Sequence, residues 1–563
     1  MTVDKAFLAE MAEGYRLDEP AITLGSPILG DEVASDVRVQ IALSRINRHG
    51  LVAGATGTGK TKTLQILAGQ LSSLGVPVFA VDVKGDVSGI GAPGDPNDPK
   101  VIDRSRSLAW NFQAGGHPLE VLSLSGNRGA HVRASISSFG PLLLGKVLDL
   151  NETQTSILSL VFRYCDDEHL PLLDLADLRT TLKFLGSDDG KAVLEDLGGI
   201  SSASLGVILR SIVTLEQEGA DVFFGEPEFD VHDLLRTTLD GRGVVTLLEV
   251  ADVMDRPRLY STFVLWMLAQ LYESLPEVGD IPKPKLAFFF DEAHLLFKDA
   301  SDALLEQIER TARLIRSKGV GVYFVTQAPT DVPSSVLSQL GNRIQHALRA
   351  FTPEDADALR KAARTFPVTT HYDVERTITS LGIGEALVTV LSPKGVPTPL
   401  AATRLIPPDS RMAPLSDQEL TQLITGSELF ARYGTSVDRE SAHEIITARL
   451  AAAHQAAATA AGVPVPAGGP GAAGAPYGGM TQAQYDREIR RQATEIEKAR
   501  QRDIREAARE RKAQERERKT AERERQRTIN TGIRTAGRVV TSRVGQSLIR
   551  GVFDTIFGGG RKR

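Results

Sequence analysis

Gly54-Ala55-Thr56-Gly57-Thr58-Gly59-Lys60-Thr61 is the stretch whose reading decides the fold. It satisfies the pattern G-x-x-x-x-G-K-[ST] in full. Its glycines let a loop curl with its N–H groups pointing inward at phosphate oxygens, and a helix starting near Lys60 adds the positive end of its dipole. Gly54, Ala55, Thr56, Gly57, Thr58 and Gly59 form the backbone of that cradle. Lys60 offers a point charge to the β- and γ-phosphates, and the Thr61 hydroxyl offers a ligand to magnesium. A Gly-rich turn can arise by chance, so the surroundings decide. Residues 48–53 end as a short apolar strand ahead of the loop, and Thr61 to Leu74 reads as a helix behind it.

Working outward, Val76 to Val83 (VPVFAVDV) is an apolar run bounded by Gly75 and Gly85, which predicts a buried parallel strand. It ends in Asp82-Val83-Lys84-Gly85-Asp86, where Lys84 either approaches the nucleotide or is an ordinary loop charge. Leu286 to Phe290 is a second buried strand, closed by Asp291 and Glu292. Ligands of open α/β sheets bind at the carboxyl ends of strands, which is where this acidic pair falls. Asp291 is expected to hold magnesium through its water shell and Glu292 to polarise the attacking water. Taken alone, an Asp there also has a plainer reading as a helix cap, which the Gly-rich loop upstream makes the weaker one. A third strand, Val320 to Thr326, ends in Thr326-Gln327 and is expected to lie between the strand that precedes the Gly-rich loop and the strand that ends in Asp291-Glu292, with Gln327 beside the γ-phosphate. Strands alternating with helices predict a mainly parallel sheet covered on both faces.

The rest of the chain adds appendages to this core. Its 563 residues, 42% hydrophobic and 24% charged, are those of an ordinary globular protein with room for several domains. Cys165 is the only cysteine, which excludes an intramolecular disulfide and a cysteine-based zinc site and fits a reducing, cytoplasmic setting. No signal peptide and no run of about 18 apolar residues is present, so stable membrane insertion is not expected. Residues 1–100 read as N-terminal strands and the first part of the core, 101–240 as a mostly helical insertion, and 241–410 as the second part of the core. Residues 411–454 read as a helical extension, 455–480 as an Ala/Gly/Pro linker, and 481–563 as a charged helix followed by an amphipathic one. Residues 486–563 hold 23 Lys/Arg against 12 Asp/Glu, so the overall charge of -6 conceals a body of -17. A basic tail on an acidic body points to an anionic partner.

The segments GATGTGKT, VDVKGD, FFFDEAHLLF and GVGVYFVTQAPTDVP, in that order, resemble the HerA/FtsK branch of P-loop ATPases. The nearer resemblance is to bacterial HerA-like proteins with the helicase HerA-type C-terminal region. RINRHGLVAGATGTGKT, LGNRIQH and the terminus VFDTIFGGG add to it. It covers roughly residues 20–410 and the last segment. The resemblance implies a RecA-like core, ATP and Mg2+ as cofactors, a homo-hexameric ring and ATP-driven movement on double-stranded DNA. It also implies that a neighbour's arginine completes each site. Arg316 is the first choice for that role, then Arg313 and Arg343, with Arg256 and Arg258 weaker; each is equally an arginine of a solvated helix or salt bridge. About fifty residues precede the loop, too few for the N-terminal barrel by which HerA docks partners such as the NurA nuclease. The separation of 231 positions between Lys60 and Asp291 implies a large insertion, read as a helical cap over the ring.

Two other functions fit the same motifs. One is a ring ATPase acting on protein partners, or a regulated scaffold, with the insertion or tail as the partner surface. The other is a secretion- or conjugation-type motor at a membrane, with the arginine-studded last helix lying on an anionic bilayer. The glycines of that helix favour packing against protein instead.

Overall fold

A computed structural model describes residues 4–190, 193, 201–253, 256–297 and 302–460. The linker beyond residue 460, the charged helix and the amphipathic last segment lie outside the described residues.

The described strands are β1 (Ala21–Leu29), β2 (Glu32–Val33), β3 (Val39–Ala42), β4 (Gly50–Ala53), β5 (Val78–Asp82), β6 (Leu119–Ser123) and β7 (Ala130–His131). They continue with β8 (Val245–Glu249), β9 (Leu286–Phe290), β10 (Val320–Thr326), β11 (Asn342–Gln345), β12 (Glu385–Thr389) and β13 (Ala401–Leu405). All belong to one sheet, in the order β2-β1-β13-β12-β11-β4-β10-β9-β5-β8-β6-β7, with β3 paired to β1. From β11 to β7 every pairing is parallel. From β11 through β12 and β13 to β1 every pairing is antiparallel. The loop strand β4 thus sits in the middle, and β10 separates it from the acidic strand β9, the order expected from the motifs.

Why these segments are strands is visible in their burial. β4, β5, β8, β9 and β10 are buried at every position, as strands covered on both faces must be. Successive side chains leave a strand on opposite faces. Phe288 and Phe290 accordingly join one core with Phe79 and Phe324, while Phe289 joins the other with Tyr323. The rings stack across strands, Phe289 on Tyr323 at 5.1 Å and Phe290 on Phe324 at 5.7 Å between centroids. The helix Lys60–Ser73 covers the Phe289 face with Leu64, Leu67 and Leu71.

The opposite face carries the helices of the long insertion: Ile136–Val147, Glu152–Asp167, Leu175–Leu185 and Ser202–Gln217. Leu158, Leu178 and Ile208 share one apolar core with Phe288 and Phe290, so these helices pack as part of the body. The helix Pro257–Ser274 joins them to the sheet: Trp266 Nε1 donates to Ser138 Oγ at 3.3 Å, and Gln270 Nε2 to the Ser138 carbonyl at 2.9 Å. Cys165 is buried in this region, 3.9 Å from Thr181 Oγ1, and burial pushes its thiol up to about 12.

Three local features differ from the sequence reading. β6 and β7 lie within residues 101–240 yet extend the main sheet, β6 pairing in parallel with β8 from Leu119↔Val245 to Ser123↔Glu249. A helix at Lys5–Gly14, capped by Asp4, buries Phe7 and Met11, four residues apart. The helix Ala442–Ala460 runs into the alanines of the Ala/Gly/Pro stretch, because alanine is the best helix former. Among the described residues no helix is long and apolar enough to cross a membrane.

Candidate nucleotide site

The phosphate-binding loop is assembled by hydrogen bonds between neighbouring strand ends. Gly54 N–H donates to the Thr326 carbonyl at 3.2 Å and Ala55 N–H to the Ala347 carbonyl at 2.8 Å. Behind the loop, Gly384 N–H donates to the Thr58 carbonyl at 3.0 Å, and Arg104 holds the carbonyls of Ile383 and Gly384 at 2.8 and 3.1 Å. Gly59 caps the helix Lys60–Ser73 with φ 115°, a conformation that favours glycine. Thr56 and Gly57 are exposed at the tip.

Lys60 Nζ donates to the loop's own carbonyls, Gly54 O at 2.7 Å and Ala55 O at 3.3 Å. Burial lowers its pKa, and the carboxylates of Glu292 and Asp291 oppose that shift. Thr61 Oγ1 lies 3.3 Å from Asp86 Oδ2. Under the loop, His346 is fully buried with Nε2 2.8 Å from Thr63 Oγ1. Burial, aided by the Lys60 charge, pushes its pKa down to about 4, which keeps the ring neutral.

Asp291 and Glu292 follow β9 directly and are buried at the edge where the loop lies. Burial, reinforced by the neighbouring Glu292 charge, pushes the Asp291 carboxyl up to about 7. Burial works the same way on Glu292, but the Lys84 ammonium overrides it and the net shift is downward. Lys84 Nζ pairs directly with Glu292 Oε1. Gln327 Nε2 donates to Glu292 Oε2 at 3.4 Å, and His294 Nδ1 is 3.4 Å from the same oxygen. Glu292 has φ 45°, a left-handed backbone that costs a non-glycine residue about 1–3 kcal/mol. Lys84, Gln327 and Glu292 are therefore brought together.

The arginines lie elsewhere. Arg313 and Arg316 are exposed ahead of β10, and Arg313 is 3.5 Å from Glu309. The seven residues of β10, roughly 23 Å of chain, separate them from the edge where the loop sits. Arg343 stands on β11 with its guanidinium on the carbonyls of Leu340, Leu337 and Thr365 at 3.3, 3.3 and 3.1 Å. Arg256 caps the helix Pro257–Ser274, and the Arg258 side chain lies outside the described residues.

Further groups bear on the site. Asp82 is fully buried and accepts from the N–H groups of Lys84, Gly85, Asp86 and Val87 at 3.3, 2.8, 3.2 and 2.9 Å. Glu249, opposite Asp82 in the β5–β8 register, is buried with Oε2 unpartnered, and burial followed by the Asp82 charge pushes its carboxyl up to about 7. The sequence signal for both was an acidic residue closing an apolar run. Beside Gly59 and Lys62 a cavity of about 680 Å³ opens, lined in part by Arg104, Arg404, Ile406 and Met412.

A central loop strand, an intervening polar-ended strand and an Asp-Glu strand at one sheet edge define a RecA-like P-loop NTPase core with a glutamate beside the phosphate cradle. The chain belongs to the helicase HerA-like C-terminal family, whose profile matches residues 29–563. The DNA double-strand break repair helicase HerA of Sulfolobus acidocaldarius is 22% identical over 365 residues, covering 65% of this chain and 66% of that relative. The protein of the same name from Pyrococcus furiosus is 24% identical over 392 residues, covering 63% and 65%. The chain thus spans slightly under two thirds of the length of these relatives. Among solved structures, the plasmid coupling protein TrwB in complex with ADP and Mg2+ aligns over 70% of this chain and 91% of its own, at 15% identity and a TM-score of 0.46.

Proposed function

We propose that the protein is a motor ATPase that binds ATP with Mg2+, hydrolyses it, assembles as a homo-hexameric ring and moves on double-stranded DNA. The observation that carries the ATPase reading is the convergence of Lys60, Thr61, Asp291 and Glu292 on one sheet edge, with Gln327 beside them.

The residues present fit a magnesium nucleotide. Lys60 Nζ is held inside the loop by the Gly54 and Ala55 carbonyls, which places its charge within the cradle. Asp291 and Glu292 crowd two carboxyls into a buried corner, where a cation relieves their repulsion. The cavity beside Gly59 and Lys62 is of ligand size, and we assign it to the nucleoside. Thr61 and Asp291 would hold the Mg2+, which when bound supplies neutralising charge at the β- and γ-phosphates. Lys60 transfers from the loop carbonyls to phosphate oxygens. Glu292 accepts a hydrogen bond from the attacking water and aligns it, while Gln327 holds the glutamate and the water in register. Arg316, too far along β10 to serve its own loop, stabilises the transition state of a neighbouring subunit, with Arg313 in support. Arg343 is already engaged by three carbonyls and suits a structural role.

ATPase rate measured with and without duplex DNA, on protein of known oligomeric mass, tests this reading. Stimulation by DNA in a hexameric fraction is the expected result. A second reading, a ring that acts on protein partners, is favoured by the net charge of -17 on residues 1–485. Turnover indifferent to DNA, with no duplex binding at low salt, would select it.

A further inference from the structure

The turn after β5 touches both halves of the nucleotide site. Asp82 accepts four successive N–H groups from residues 84–87, which fixes the turn's backbone. From this frame Asp86 reaches Thr61 and Lys84 reaches Glu292. The two members of the second pair are unequally held. The Lys84 side chain is 47% exposed, whereas that of Glu292 is 5% exposed and is also engaged by Gln327 and His294. The lysine is the member free to move, a compact charge on a flexible four-carbon stem.

The pairing has a chemical cost for hydrolysis. A glutamate that accepts from an ammonium and an amide has less acceptor capacity left for a water molecule. Freeing it requires an anion able to take the lysine away. The terminal phosphate of a nucleoside triphosphate carries more charge than one carboxylate, and a diphosphate lacks that group.

Resting on the ATPase reading above, we propose that Lys84 is a positioning residue that changes partners, holding Glu292 in the absence of a triphosphate and moving to the terminal phosphate when ATP binds. The glutamate is then released to the water only when the group to be attacked is in place. With ADP bound, Lys84 stays on Glu292.

The test is a double-mutant cycle on the full chain, measuring affinity for a non-hydrolysable ATP analogue and for ADP. Glu292→Gln removes the carboxylate that holds the lysine, so it should tighten the analogue at least threefold more in the chain that keeps Lys84 than in the Lys84→Met background. The ADP affinities should show no such difference, and Lys84→Arg should restore the coupling. Equal factors in both backgrounds would overturn the exchange while leaving the ATPase reading intact. Failure of the unsubstituted chain to bind either nucleotide would overturn that reading and the exchange with it.

Discussion

At the scale of single residues, substitutions at Lys60 and Glu292 are expected to separate binding from turnover. Lys60 is the cation inside the loop, and Lys60→Ala should weaken nucleotide binding and reduce hydrolysis by at least about 100-fold, read by titration and phosphate release. Glu292→Gln keeps the size of the side chain and loses the base, so turnover should fall roughly 10²–10⁴-fold while ATP stays bound. A normal rate in that variant would remove Glu292 from its role. Glu249 gives a prediction independent of nucleotide. Its folded pKa, about 7, lies above the ordinary glutamate value of 4.5, so the folded chain holds a proton that the unfolded chain has lost between those pH values. Its contribution to stability is complete below about pH 4.5 and declines as pH rises to about 7. Glu249→Gln should flatten that decline and stabilise the protein at pH 7.5 by on the order of 1–3 kcal/mol, measured by urea melts at pH 4.5 and 7.5. Lys60, Thr61, Asp291 and Glu292 were legible in the sequence because their spacing from apolar runs fixes where a sheet edge must put them. The pairing of Lys84 with Glu292, 208 positions away, was not, since only the adjacency of β5 and β9 creates it.

At the scale of elements, the central sheet was readable wherever strands are buried on both faces. Leu286–Phe290 and Val320–Thr326 are continuous apolar runs with polar ends, and no other placement satisfies both features. β6 was harder to see. Its burial begins only at Val121, and it lies in a region whose helical periodicity dominates the pattern. The N-terminal helix Lys5–Gly14 was missed for a related reason, having only Phe7 and Met11 to announce its buried face. The turn into the helix Lys60–Ser73 depends on Gly59. A β-carbon there would stand 3.3 Å from the Gly384 nitrogen and impose strain at φ 115°. Gly59→Ala should therefore weaken ATP binding about tenfold or more, while the far-UV circular dichroism spectrum is unchanged. Loss of folded signal in that variant would show the loop to be structural for the sheet as a whole.

At the scale of the whole molecule, the placement of Arg316 and Lys60 at opposite ends of β10 makes a prediction about assembly. If each site takes its arginine from a neighbour, chains carrying Lys60→Ala and chains carrying Arg316→Ala should each be inactive alone. Mixed in equal amounts they should regain about a quarter of the sites, because a heterologous interface can then pair an intact loop with an intact arginine. ATPase assays of the two variants and their mixture read this directly, and a mixture no better than its parts would place the arginine elsewhere. The motifs announced the existence of a large insertion through the spacing of Lys60 and Asp291. They did not reveal that its helices share a core with β9, because apolar spacing marks a buried face without naming what covers it.

The burial of Cys165 has a practical consequence. The chain's only thiol is 1% exposed and held in its protonated, unreactive form at neutral pH. A fluorophore or spin label attached through a cysteine placed at an exposed position would therefore report from that position alone, with no need to alter the native sequence first. In the ring proposed above, distances between such labels on neighbouring copies would test whether subunits rearrange as nucleotide is consumed.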